Sequence, residues 1–456
     1  MKKAIALLLC AVMLLGLVAC GSGSTEQTAA PATQAAGTEA AGTEAAAPQP
    51  GKYDVTEPIT IEFWINYSEQ PKQEWIQGAI DAFNASQELV TVELVLLNGY
   101  GAVDEALTAA QAAGKGLPGL ANINCPRVLT YATSGLTEPL DDYMAATGFP
   151  VDDFNEGMMA AMQPLADPDH YYGIPFGISS SVCFWNLTLL NECGITEVPA
   201  TWEQMRAAAD IIKDKTGKMT LGIPSELNYV EVMMRNAGAD PLGDGTASNL
   251  YDENVVSFVQ ELKEMYDAGQ AEVFDGTDYT TNIATAFYAG DLACMVNTSS
   301  IANAVAKNSA EANIDVTATF GIQYKADPCI SCVAGGALIV PAANDQQVKN
   351  AAWQFIQFLT SKENVASWSI PGAVYATRYS VLEDEALVSA IYENCPMMEG
   401  IYAGFSGVVS KNKTPYQTAA YKILLNAMGQ YLHGNADFDT VWSSANDEID
   451  YLLAGY

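Results

Sequence analysis

Ile59-Thr60-Ile61-Glu62-Phe63-Trp64-Ile65 is rich in β-branched and aromatic residues, and together with the helix and strand signals immediately after it this stretch decides the fold. After a polar loop, Trp75, Ile76, Ala79, Ile80 and Phe83 recur on one helical face, and residues 92–97 read as a second strand. Strand, helix and strand in this order imply a parallel βαβ unit. An Ala-rich helix over 102–113 and a short strand over 119–123 continue the pattern, so the first part of the chain is expected to be α/β.

Further along, Gly and Pro punctuate an extended run over 171–178, which is expected to cross between two halves, and 182–187 reads as a strand. Thr201-Trp202-Glu203-Gln204 is a capping-box pattern opening a helix through Ile212. Val348, Ala352, Phe355, Ile356 and Leu359 share a helical face, and Thr360-Ser361-Lys362-Glu363 is placed to cap the next helix. The chain closes on the amphipathic series Val441, Trp442, Ala445, Ile449 and Leu452, and no repeat of solenoid length occurs. The body of about 400 residues exceeds one small core, which implies two lobes.

The amino terminus carries an address. Lys2 and Lys3 precede an apolar run over 4–18 that is too short for a comfortable membrane span and ends in Leu17-Val18-Ala19-Cys20. The run resembles the bacterial lipobox, which implies removal of residues 1–19 and diacylation of Cys20. Residues 21–50 are almost wholly Gly, Ser, Thr, Ala, Gln, Glu and Pro, so the stretch over 20–52 is expected to be a flexible tether. Its typical span is roughly 30 Å. No second apolar stretch is long enough to span a bilayer, so the body is expected to be extracytoplasmic and held to the membrane only through its lipid end.

Loss of Lys2 and Lys3 takes the 20 basic side chains to 18 against 54 acidic ones, and the net charge from −34 to −36. That balance argues against nucleic acid and anionic lipid as partners. Beyond Cys10 and Cys20 the cysteines are Cys125, Cys183, Cys193, Cys294, Cys329, Cys332 and Cys395, an odd number that leaves at least one free or paired outside the chain. Cys329-Ile330-Ser331-Cys332 has metal or redox spacing but lacks a second pair. With only His170 and His433 present, neither a metal nor a cofactor is expected. No phosphate loop, Gly-x-Ser-x-Gly elbow or His-Glu-x-x-His occurs, so the chain is not expected to be an enzyme. The acids of Asp240-Pro-Leu-Gly-Asp244 through Asp252 fail EF-hand spacing and read as a turn on a solvated acidic surface. A surface glycoside hydrolase is the rival from another class, since many acids guarantee chance carboxylate pairs.

Several segments carry a family pattern. Tyr172-Gly-Ile-Pro-Phe176, Phe184-Trp-Asn186, Cys193-Gly-Ile195 and Thr201-Trp202 resemble a series found in family 1 extracellular solute-binding proteins of ABC importers. The likeness extends through Phe287-Tyr-Ala-Gly-Asp-Leu-Ala-Cys-Met295 and from Gly335-Gly336 to Trp353-Gln-Phe-Ile-Gln-Phe-Leu-Thr-Ser361. Tyr100 ahead of Leu107–Lys115, with Ser179 and Ser180 after Phe176, is most similar to the glycerol-3-phosphate-binding branch, which includes sugar binders. The resemblance implies an α/β fold of two lobes joined by crossover strands around a ligand cleft. Lobe one would hold 56–174 plus 302–370, and lobe two 175–301 plus 371–456. It also implies a monomer that captures a sugar or oligosaccharide and delivers it to the transmembrane permease subunits.

Loops after strand ends face the cleft in such sheets. This puts Asn66, Tyr67 and Glu69 after the first strand, Tyr100 after the second and Asn124 after the third among the ligand contacts. The resemblance adds Ser179, Ser180, Tyr229, Asn297, Ser299, Ser300, Gly336 and Tyr375. Amides and hydroxyls suit sugar hydroxyls, and aromatic faces stack on a pyranose. Trp64 and Trp185 lie within strands and are expected in the core. The chain departs from the branch at Gly372-Ala-Val-Tyr375, and Cys125 occupies an acidic position. The branch's late phosphate-pairing arginine has no clear match, with Lys413 nearest. These departures weigh against glycerol-3-phosphate or a glycerophosphodiester as ligand and leave Arg378 as the best anion partner.

Overall fold

The structure is a computed structural model that describes residues 51–276, 278–434 and 436–455. The leader, Cys20 and most of the expected tether lie outside the described residues.

The chain opens with β1 (Ile59–Ile65), α1 (Gln70–Ser86), β2 (Val90–Leu96), α2 (Gly99–Ala113), β3 (Leu120–Asn124) and α3 (Cys125–Thr133). It continues through β4 (Ile174–Ser179), β5 (Ser181–Asn186), α4 (Trp202–Thr216), β6 (Met219–Pro224), α5 (Leu227–Asn236), β7 (Ala271–Phe274), β8 (Leu292–Thr298) and β9 (Val316–Thr319). β10 (Ser331–Cys332), β11 (Ala334–Ile339), α6 (Gln346–Leu359), α7 (Lys362–Gly372), β12 (Val408–Val409), α8 (Gln417–Leu432) and α9 (Phe438–Ala454) complete the elements used below.

Two five-stranded sheets form the lobes, in the orders β2-β1-β3-β11-β4 and β7-β6-β8-β5-β9. They are built alike. Each has three adjacent parallel strands, and each then meets an antiparallel strand delivered from the other lobe, β11 in the first and β5 in the second. β1 and β2 pair in full register from Ile59 opposite Val90 to Ile65 opposite Leu96.

Local chemistry explains the elements. α1 starts beside Pro71, which favours a first helical turn, and buries Ile76, Ala79, Ile80 and Phe83 against the first sheet. Phe63 of β1 meets Phe355 of α6 edge-on, with ring centroids 5.5 Å apart. Burying each such side chain contributes about 1.5–3 kcal/mol. The capping box of α4 is formed in both directions: Gln204 N donates to Thr201 Oγ1 at 3.2 Å, and Thr201 N to Gln204 Oε1 at 3.3 Å.

Several sequence expectations need correction. Thr360 ends α6, and Ser361 caps α7 by accepting from Asn364 N. Trp185 is fully buried, but Trp64 is only half-buried, with its indole N–H donating to Glu62 Oε2 on the same strand at 2.8 Å. Asp240 turns inward, with its carboxylate 3.9 Å from Arg235 Nε, and does not join a solvated surface. β9, inside the 302–370 span expected in lobe one, pairs with β5 of the second sheet, while β4 runs past 174 to Ser179 in the first. Strand pairing across the crossover moves both boundaries.

Among the described residues the chain passes between lobes three times: at Ser180 between β4 and β5, over 320–333 between β9 and β11, and over 373–416 between α7 and α8. No described helix is long and apolar enough to cross a membrane.

Candidate functional site

A cavity of about 650 Å³ lies between the lobes. Its first-lobe wall comes from the start of α2 and from the β3–α3 junction, where Tyr100, Asn124, Cys125 and Arg127 line it. Its second-lobe wall comes from the N-terminus of α5, the segment 410–416 and the start of α8, with Asn228, Lys411, Asn412, Tyr416 and Gln417. Both the α2 and α3 wall residues come directly after strand ends, where an α/β sheet leaves its loops free.

The electrostatics of this wall are largely internal. Arg127 Nε donates to Asp104 Oδ2 at 2.9 Å, and Tyr131 Oη to Asp104 Oδ1 at 2.8 Å. Glu226 caps α5, accepting from Asn228 N and Nδ2, each at 2.9 Å. The Lys411 ammonium donates to the Asn228 side-chain oxygen. Burial pushes the Cys125 thiol up to about 12, so a neutral donor occupies that position, and its Sγ lies 3.2 Å from Gly336 O.

The 410–417 segment is held from beneath by a buried ion pair on α5. Arg235 Nη1 is 3.4 Å from Glu231 Oε1 and also donates to Ser410 O at 3.0 Å and toward Cys332 Sγ at 3.2 Å. Glu231, fully buried, accepts from Asn412 N at 3.3 Å and from Gln417 Nε2 at 3.0 Å. Desolvation raises the Glu231 pKa against the pull of Lys411 and Arg235.

Of the residues expected to contact ligand, Tyr100 and Asn124 line the cavity. Others gather at the crossovers. Ser180 Oγ is 2.9 Å from Tyr375 Oη, Ser299 N donates to Ser180 O at 2.8 Å, and Ser331 Oγ to Ser181 O at 2.7 Å. Ser179, Ser180, Ser299 and Tyr375 are all buried there. Ser300 Oγ meets Thr298 Oγ1 at 3.0 Å, and Tyr229 Oη donates to Asn297 Oδ1 at 3.2 Å, both at the end of β8. Asn66 and Tyr67 stand beside Tyr100, whose hydroxyl lies against both side chains. Glu69 is exposed and paired with Lys72 at 3.0 Å. Gly336 pairs with Asn124 across the sheet.

Arg378 is the clear departure. Its Nε donates to Asp153 Oδ2 at 2.6 Å and its Nη1 to Thr360 O at 3.1 Å, away from the cavity wall. Asn228, Lys411, Asn412, Tyr416 and Gln417 have no counterpart among the sequence expectations. Their one sequence signal is the cluster Ser410-Lys-Asn-Lys-Thr-Pro-Tyr416, which places two of the chain's few lysines beside amides and an aromatic ring.

Two α/β lobes, three crossovers and an interlobe cavity walled by amides, hydroxyls and aromatic rings define a two-lobe binding protein. The chain belongs to the bacterial extracellular solute-binding protein family, whose model matches residues 78–394. This family supplies solute-binding components of ABC importers, and the chain is accordingly a binding protein and not an enzyme. It is 25% identical over 327 residues to the sn-glycerol-3-phosphate-binding periplasmic protein UgpB of Pectobacterium atrosepticum, covering 68% of this chain and 71% of that protein. The cyclic alpha-maltosyl-1,6-maltose binding protein of Arthrobacter globiformis shares the fold, with a TM-score of 0.76 at 17% identity over 88% of this chain and all of that one. UgpB of Mycobacterium tuberculosis, solved with glycerophosphocholine, superposes with a TM-score of 0.70 at 18% identity, covering 87% of this chain and 98% of that one.

Proposed function

We propose that this chain captures a carbohydrate, a sugar or oligosaccharide, in the interlobe cavity and delivers it to the permease of an ABC importer. The reading includes attachment to the extracytoplasmic face of the membrane through a lipid on Cys20, and a body that acts as a monomer. It also takes the lobes as 56–179 plus the sheet-one elements after 334, and 181–319 plus α8 and α9. The observation that carries the reading is the composition of the cavity wall. Tyr100 and Tyr416 line it with aromatic rings and Asn124 with an amide, while Asn228, Asn412 and Gln417, whose amides are held in place by Glu226, Lys411, Gly243, Thr414 and Glu231, make the facing wall polar and preorganised. A ligand bridging both walls favours the closed conformer by its differential contacts. Tethering keeps the captured solute at high effective concentration beside the permease.

A second reading, a glycerophosphodiester ligand, is favoured by Lys411 and Lys422 in the same wall and by the UgpB relative. A thermal-shift panel of oligosaccharides and glycerophosphodiesters, followed by small-angle scattering, tests both. A saccharide that raises the melting temperature and compacts the chain supports the first; stabilisation only by the phosphodiester supports the second. The absence of any shift would count against both.

A further inference from the structure

The interlobe cavity inverts the charge balance of the chain. The whole sequence has 20 basic and 54 acidic side chains, yet the cavity is lined by three basic ones, Arg127, Lys411 and Lys422, against two acidic ones, Asp104 and Glu226. Both acids are already engaged: Asp104 accepts from Arg127 Nε and Tyr131 Oη, and Glu226 from Asn228 N and Nδ2. The cations keep donors in reserve. Arg127 donates through Nε, and neither of its Nη groups has a partner among the described residues, on a side chain 52% exposed. Lys422, exposed on the second turn of α8, makes no hydrogen bond or ion pair among the described residues. Lys411 is partly engaged, since its ammonium donates to the Asn228 side-chain oxygen and attracts Glu231 behind the wall. It also favours the charged form of Cys125 against that thiol's burial, which sets a second-lobe cation close to the first-lobe wall.

Arg127 and Lys422 stand on opposite walls of the cavity. An anion between them is attracted by both, whereas closure around an uncharged ligand brings two like charges together. Displacing water as the walls approach weakens the screening, so both effects grow. The planar Arg127 fork matches the two oxygens of a carboxylate, and a lysine ammonium meets the same group as a point charge. Tyr100 and Asn124, on the wall that carries Arg127, suit the face and the hydroxyls of a pyranose bearing that carboxylate. A glycerophosphodiester such as glycerophosphocholine brings a quaternary ammonium as well, and the acids that could meet it are already held by Arg127, Tyr131 and Asn228.

Resting on the reading of the cavity as a carbohydrate site, we infer that its ligand is an acidic saccharide, a uronate whose carboxylate bridges Arg127 and Lys422 and couples lobe closure to ligand charge. The test is calorimetric titration of the wild-type chain with di- and trisaccharides ending in galacturonate, glucuronate or mannuronate, each beside its uncharged methyl ester, and with maltotetraose and glycerophosphocholine. One uronate should bind at least about 10-fold more tightly than its ester. That preference should shrink as salt is raised, and the acid form alone should compact the chain in small-angle scattering. Lys422→Gln, on an exposed helix face, should leave the ligand-free melt unchanged and weaken the uronate by about 10-fold without affecting the ester, while Lys422→Arg should keep most of the preference. An ester or maltotetraose that binds as tightly as the acid, or a uronate affinity untouched in Lys422→Gln, would overturn the charged bridge and leave the carbohydrate reading intact. Binding of glycerophosphocholine alone, or of no probe, by the wild type would overturn the carbohydrate reading and the bridge with it.

Discussion

Ser180 Oγ and Tyr375 Oη lie 2.9 Å apart, and this contact ties the first crossover to the third. The second crossover joins through Ser331 Oγ, which donates to Ser181 O at 2.7 Å. All three passages between the lobes therefore meet at one buried hydroxyl cluster, and Tyr375 is packed there at 5.3 Å from Tyr402 and 5.7 Å from Phe405. Tyr375→Phe keeps the ring packing and removes the hydroxyl, leaving Ser180 Oγ only a 3.5 Å approach to Ser181 O. We expect a loss of about 1–2 kcal/mol in urea unfolding with an unchanged slope. An unmoved midpoint would show that the contact contributes nothing to holding the crossovers together.

Gly177 has φ +72°, in the left-handed region, and a Cβ there would collide with the Tyr67 hydroxyl at 2.1 Å. Gly177→Ala should destabilise through both terms, backbone strain of about 1–3 kcal/mol and the clash. The double variant with Tyr67→Phe relieves the clash alone. Denaturation of the set should therefore show the pair coupled, with the double variant recovering part of the loss. Strict additivity would mean that the hydroxyl and the added methyl never meet.

The βαβ opening was legible because Ile76, Ala79, Ile80 and Phe83 repeat at helical spacing beside β-rich runs, and local periodicity alone fixes such units. The capping box at Thr201 was legible for the same reason, since both partners lie within four residues. Ligand contacts were harder. Tyr100 and Asn124 are accounted for by the rule that loops after strands face the cleft, but the 410–417 wall has no periodicity, and its position is set by Glu231 and Arg235 some 180 residues earlier. Arg378 looked free for an anion because its partner, Asp153, lies 225 residues away. Long-range pairing of this kind leaves no local mark.

That Asp153–Arg378 contact predicts a pH dependence. Asp153 is pulled below the usual carboxylate range: desolvation opposes the shift, but hydrogen bonds from Ser380 and Arg378 outweigh it. A lowered folded pKa means that its stabilising contribution is present above the unfolded value near 3.8 and disappears as pH falls through the folded value below it. Asp153→Asn should thus cost about 1–3 kcal/mol at pH 7 and progressively less below pH 4, measured by urea unfolding at several pH values. A difference that did not shrink at all as pH was lowered beneath the unfolded value would rule out ionisation of Asp153 as its source.

The Glu231–Arg235 pair beneath the cavity wall carries the opposite sign. Burial raises the Glu231 pKa, so its contribution to stability is fully present below the unfolded value near 4.5 and is lost as pH rises through the folded value. Relative to wild type, Glu231→Gln should gain stability as pH is raised above about 4.5, since the amide carries no charge to desolvate. The neighbouring Asp240 is also raised by burial, but it is present in both chains, so the difference between the two unfolding curves isolates Glu231. Arg235→Met removes the other partner and leaves the carboxylate buried with Lys411 as its remaining cation. That should cost about 3–5 kcal/mol near neutral pH. Because Arg235 also holds Ser410 O, and Glu231 holds Asn412 N and Gln417 Nε2, hydrogen exchange in Arg235→Met should rise first over 410–417. Parallel pH curves for wild type and Glu231→Gln, together with unaltered exchange over that segment, would mean that the ion pair neither titrates in this way nor positions the cavity wall.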